Sequence, residues 1–134
     1  MSSPLSTSAR RGWAAAAMVF GVMTLLSGGR ALFGSAQAQA DAGQIVPWVL
    51  WFNFIAGAAY VAAGAGLWQG AAPWPRRLAT GIAAATAAVG LALAAHVATG
   101  GAYEMRTVGA MVLRVGFWGV LAVVLWRQAQ PRLD

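Results

Sequence analysis

Four stretches of about 20 residues with almost no charge constrain this chain more than any other feature. They run over 13–33, 45–68, 78–98 and 108–126, and only Arg30 and Arg114 interrupt them with charge. A helix rises 1.5 Å per residue, so about 20 residues cross a hydrocarbon core of about 30 Å. Each stretch therefore predicts one transmembrane helix. The connections of about ten residues are short enough to make neighbouring helices antiparallel. The expected fold is all-α: a single domain over 1–134, built as an integral membrane four-helix antiparallel bundle.

Local punctuation supports these spans. Pro47 falls in the first turn of the second helix, where its missing N–H has no intrahelical partner to lose. Ala71-Ala72-Pro73-Trp74-Pro75-Arg76-Arg77 breaks the chain before the third, and Thr99-Gly100-Gly101 breaks it before the fourth. Residues 1–9, rich in Ser, and 129–134 read as disordered ends.

Composition separates this chain from soluble proteins. Of its 134 residues, 60% are hydrophobic and 9% charged, too apolar a surface for a water-soluble fold of this length to cover. The net charge of +6 comes from arginine alone among the bases. Most of those arginines flank apolar segments and are not spread over a polar, aromatic-rich domain, so no nucleic-acid partner is expected. Cysteine is absent, which excludes thiol redox chemistry and cysteine-ligated metal centres.

The arginines also predict an orientation. Arg10, Arg11, Arg76, Arg77, Arg127 and Arg132 fall on one side, with Arg30 and Arg106 opposite, beside Asp41 and Glu104. The positive-inside rule then gives an N-in, C-in topology, expected in a bacterial inner (cytoplasmic) membrane. Trp13, Trp68, Trp74 and Trp126 mark the inner interface; Trp48, Trp51 and Tyr103 mark the outer one. A rival reading takes Arg10-Arg11, the apolar run to Leu26 and the Ala36-Gln37-Ala38-Gln39-Ala40 segment as a cleavable leader. The long gap before Ala40, and Arg30 within it, favour a retained first helix.

Helices in a bilayer associate through close packing of small residues and occasional polar contacts. Asn53, Gly57, Tyr60 and Gly64 fall on one face of the second helix, which is expected to point inward. The alanine-rich third helix is thin all round, and Gly116 and Gly119 are expected to serve the fourth in the same way.

Polar residues inside spans are the functional candidates, because an ionisable group there costs about 2.5–3.5 kcal/mol on insertion scales. Arg114 lies about 9 Å into the fourth span counted from Val108, and deeper if the helix starts earlier. Trp118 is one turn further on the same face, placed for a cation–π contact. Two roles are open to Arg114: snorkelling outward to fix register, or binding. Asn53 sits about 9 Å from Pro47, as interhelical glue or as part of a ligand site. His96 and Glu104 mirror each other around Gly100, and could form a titrating pair or part of a metal site, against a plain hydrogen-bonded histidine.

Together Arg30, Asn53, His96, Glu104, Arg106 and Arg114 predict a polar cluster in the outer half, contributed by all four helices. Its excess of arginine points to an anion, a lipid headgroup or a partner's carboxylate. No catalytic residue, complete metal shell or cofactor can be named from these residue types, and one histidine cannot form a bis-histidine haem site within one chain. Small four-helix multidrug transporters use a membrane carboxylate, and no Asp or Glu lies within these spans. Asn53-Phe54-Ile55-Ala56-Gly57 resembles the Asn-containing second helix of dual-topology fluoride channels, over five residues and without their other motifs. The expected function is a binding or accessory membrane protein, with the bilayer itself, an anionic lipid or a membrane protein as partner and self-association open. The alternative is a small transporter or oxidoreductase subunit acting on an anionic or redox substrate.

Overall fold

The computed structural model describes residues 5–70 and 72–130. It is all-helical, with α1 (Thr7–Phe33), α2 (Ala36–Asp41), α3 (Pro47–Gln69), α4 (Pro73–Ala98) and α5 (Met105–Ala129). The four long helices are each long and apolar enough to cross a membrane.

The helix ends follow from caps that hydropathy does not report. The Ser6 side chain accepts from Ala9 N at 3.0 Å, so α1 begins at Thr7 and not at Trp13. Leu5 N donates to Gln128 Oε1 at 2.7 Å, tying the beginning of the described chain to the end of α5. Disorder expected at 5–9 is therefore replaced by helix and a tether, while 1–4 and 131–134 lie outside the described residues. Pro73 and Pro75 stand in the first turn of α4, so the expected break lies almost wholly inside that helix. Ser35 caps the short α2, its hydroxyl accepting from Ala38 N at 3.2 Å, within the connection between the first two expected spans.

Helices α1 and α3 form the closest pair. A Cβ on Gly21 would stand 2.7 Å from Gly57 O, and one on Gly64 would stand 2.8 Å from Ala14 O. Glycine at these positions lets two backbones touch, which is how helices associate when no hydrophobic effect drives them together. The expected inward face of α3 is present: Gly57, Tyr60 and Gly64 are buried, and Asn53 is half-buried. Gly116 and Gly119 depart from expectation, since a Cβ at either would meet nothing within 4 Å. They lie on the open side of α5.

The main core gathers Ala14 and Ala17 of α1, Tyr60 and Leu67 of α3, Ile82 of α4, and Trp118 and Leu121 of α5. A second, smaller cluster of Val46, Val49, Leu93 and Met111 closes α3, α4 and α5 at the other end. Helices α1 and α5 meet differently. They touch through rings, Trp13 on Phe117 at 5.6 Å and Phe20 on Phe117 at 5.5 Å between centroids, not through backbone approach. Large rings hold the two helices apart, and that separation creates the site.

Candidate functional site

Beyond the Phe20–Phe117 stack the seam between α1 and α5 opens into a cleft of about 640 Å³. Its walls are Met23, Thr24, Ser27 and Arg30 of α1, Leu50 and Asn53 of α3, and Arg106, Thr107, Ala110 and Arg114 of α5. Ala38 and Asp41 of α2, with Ala42 and Ile45 of the following turn, cover its end. Four of the seven expected site residues, Arg30, Asn53, Arg106 and Arg114, thus line one cleft.

Arg114 is the deepest of its charged groups. With α5 starting at Met105, its Cα lies about 13 Å along the helix, beyond the 9 Å counted from Val108. Its guanidinium turns into the bundle. Nη2 donates a long contact to Thr24 Oγ1 at 3.5 Å, and Cζ sits 5.7 Å over the Phe20 ring. Arg114 Nε is buried with no hydrogen-bond partner, and so is Asn53 Oδ1. None of the four long helices carries a carboxylate that could neutralise Arg114. A buried guanidinium holds five N–H donors and a full charge, so donors left free in a cleft favour an incoming anion.

The cover is pinned by hydrogen bonds that cross long sequence distances. Arg106 Nη2 donates to Asp41 O at 2.6 Å, and Gln44 N donates to Glu104 Oε1 at 2.8 Å. Two local bonds add to these: Gln37 Nε2 donates to Asp41 Oδ1 at 2.9 Å, and Gln39 Nε2 to Leu32 O at 3.3 Å. Gly43, at a φ of +72°, makes the turn between α2 and α3. A Cβ there would run into the Glu104 carboxylate.

The other three expected residues stand apart. His96 Nε2 is 2.9 Å from Ala102 O, and its ring meets Trp48 edge-on at 6.1 Å. Glu104 is committed to Gln44 N, so the two residues that mirror each other around Gly100 have different partners. The expectation that all four helices feed one polar cluster is corrected accordingly: α4 contributes no residue to the cleft walls. Trp118 is fully buried, its ring 4.7 Å from that of Tyr60. The cation–π partner of Arg114 is Phe20 from another helix, not Trp118 from its own. Among the described residues no three His, Asp or Glu side chains converge as metal ligands.

Sequence reading missed Thr24, Ser27 and Asp41 in the cleft walls. A signal for the first two exists: Thr24, Ser27 and Arg30 follow at steps of three, a polar stripe on the last turns of α1. It also missed what lies behind Arg114, where the Tyr60 hydroxyl neighbours Arg114, Thr86 and Trp118. Tyr60 and Thr86 are fully buried, and their hydroxyls, like Trp118 Nε1, close no hydrogen bond.

The opposite end of the bundle looks different. A cavity of about 190 Å³ lies there beside Arg10 and Arg76. Its arginines are engaged in part: Arg10 Nε donates to Leu67 O at 2.9 Å and Arg76 Cζ sits 4.4 Å over the Trp126 ring, while Arg76 Nε, like Arg114 Nε, is buried without a hydrogen-bond partner. Arg11 lies 5.0 Å over Trp68 in the same manner. Of these two cavities the α1–α5 cleft is the larger, and three arginines, Arg30, Arg106 and Arg114, line it.

Comparison with protein-family models, curated proteins and solved structures found no match to this chain.

Proposed function

We propose that this chain is a multi-pass protein of a bacterial inner membrane, N-in and C-in, that binds an anionic group in the cleft between α1 and α5. The observation that carries the reading is Arg114, a half-buried guanidinium deep in the cleft with no carboxylate on any long helix. An ionisable side chain at that depth is expensive unless it has a partner, and a bound anion supplies one.

Membrane embedding is supported by four helices of suitable length and hydropathy. Half-exposed Trp48 and Trp51 at one end, and Trp68, Trp74 and Trp126 at the other, suit two membrane–water interfaces. The arginine bias supports the orientation, with the cleft facing outward. Binding is favoured over passage through the bundle because Phe20 and Phe117 close the cleft toward the opposite end.

Thermal unfolding in mild detergent tests the reading, with inorganic phosphate compared against chloride at equal ionic strength. A specific anion at ten times its Kd stabilises by about 1.4 kcal/mol. The wild type is expected to gain with phosphate, and Arg114→Gln is expected to lose that gain. An equal response in both would remove the cleft from the account.

A further inference from the structure

The walls of the cleft have two characters. Arg30, Arg106 and Arg114 bring positive charge, while Met23 and Leu26 on α1 and Ile45 after α2 bring exposed apolar surface at 64%, 65% and 43%. A small inorganic anion would match only the first character. An amphiphile with an anionic head would match both.

The way in points to the same ligand. At the end of the bundle, α2 and its turn lie over the cleft, held by Arg106 on Asp41 O and by Gln44 N on Glu104. On the side, α1 and α5 are kept apart by the Phe20–Phe117 rings, and no α4 residue lines the cleft. The seam between α1 and α5 is therefore a lateral opening. In a bilayer it faces lipid.

We infer, resting on the anion-binding reading above, that the cleft takes the headgroup of an anionic phospholipid entering sideways between α1 and α5. The phosphate meets Arg114 and Arg106, and the acyl chains leave along Met23 and Leu26. Charge complementarity selects an anionic over a zwitterionic lipid. Three arginines line the cleft against one carboxylate, Asp41, and that carboxylate already accepts from Gln37. Arginine in a two-pronged fork suits a phosphate, and a headgroup drawn out of water strengthens each such hydrogen bond.

Native mass spectrometry of the full chain tests this, released from nanodiscs holding equal amounts of phosphatidylglycerol and phosphatidylcholine with matched chains. The expected result is a monomer retaining one phosphatidylglycerol, at least 10-fold over phosphatidylcholine. Arg114→Gln and the exposed-site variant Arg106→Gln each lower that ratio at least fivefold. Arg11→Gln, at the other end, leaves it unchanged. Ser27→Phe, which narrows the seam, is expected to lose the lipid while keeping the stabilisation by inorganic phosphate. Stabilisation of the wild type by phosphate without a phosphatidylglycerol preference overturns the lipid inference and leaves the anion reading standing. Absence of both responses overturns both. A lipid-free dimer overturns the inference as well, because a second copy then fills the seam.

Discussion

Phe20 and Phe117 stack with centroids 5.5 Å apart and an interplanar angle of 24°, and the Arg114 guanidinium sits against the Phe20 face. This one contact separates two regimes along the α1–α5 seam. On one side the helices are joined by rings; on the other they part around a charged cleft. The stack thus sets both the width of the cleft and the depth to which a charge is carried.

That arrangement makes Arg114 costly to the fold. An arginine at mid-helix costs about 2.5–3.5 kcal/mol on insertion scales, and Arg114 Nε recovers no hydrogen bond. Arg114→Leu is expected to raise stability in mild detergent by about 1–3 kcal/mol, while abolishing the response to phosphate. Denaturant unfolding followed by circular dichroism checks this. A loss of stability would assign Arg114 to architecture.

The glycines divide into two groups with opposite expected behaviour. Gly21→Val drives a side chain into Gly57 O and Val61, and is expected to destabilise by about 1–3 kcal/mol. Gly116→Ala and Gly119→Ala meet nothing within 4 Å and are expected to be neutral or slightly stabilising. Thermal melts of the three variants settle the comparison.

The pinned cover over the cleft carries its own prediction. Glu104→Ala removes the acceptor of Gln44 N, an exposed hydrogen bond of about 0.5–1.5 kcal/mol. Amide hydrogen exchange over residues 36–46 is expected to speed up several-fold, with α3 and α5 unchanged. Uniform acceleration along the chain would mean that Glu104 supports the whole bundle.

Orientation is directly measurable because the chain has no cysteine of its own. Ser8→Cys and Thr99→Cys place single thiols at exposed positions at opposite ends of the bundle. In intact cells a membrane-impermeant maleimide is expected to label the Thr99 variant and not the Ser8 variant. The reverse pattern would invert the topology and place the cleft on the cytoplasmic side.

The long helices were legible because about 20 apolar residues leave few alternatives. Their ends were less so. Ser6 extends α1 by a turn and a half before the hydropathy rises, and two prolines that read as a break begin α4 instead. Ala36–Asp41 alternates Ala with Gln, a pattern that carries no periodic apolar face, so the Ser35 cap was the only clue to α2. Within the site, depth along a helix was readable and neighbours across helices were not. Spacing on α5 offered Trp118 to Arg114, but Trp118 is taken by Tyr60, and Phe20 arrives from a helix more than 90 residues away. His96 and Glu104 matched by symmetry around Gly100, whereas hydrogen bonds to Ala102 O and Gln44 N divide them.

Anion binding by Arg114 within the cleft is the step on which the proposed function stands or falls. Arginine Nε–H resonances in the ¹⁵N–¹H spectrum of the detergent-solubilised protein report on it directly, with Arg114→Lys identifying the relevant peak. Titration with inorganic phosphate is expected to move the Arg114 peak saturably, while those of Arg10 and Arg11 stay in place. A stationary Arg114 peak, with or without movement at Arg10 and Arg11, would contradict it.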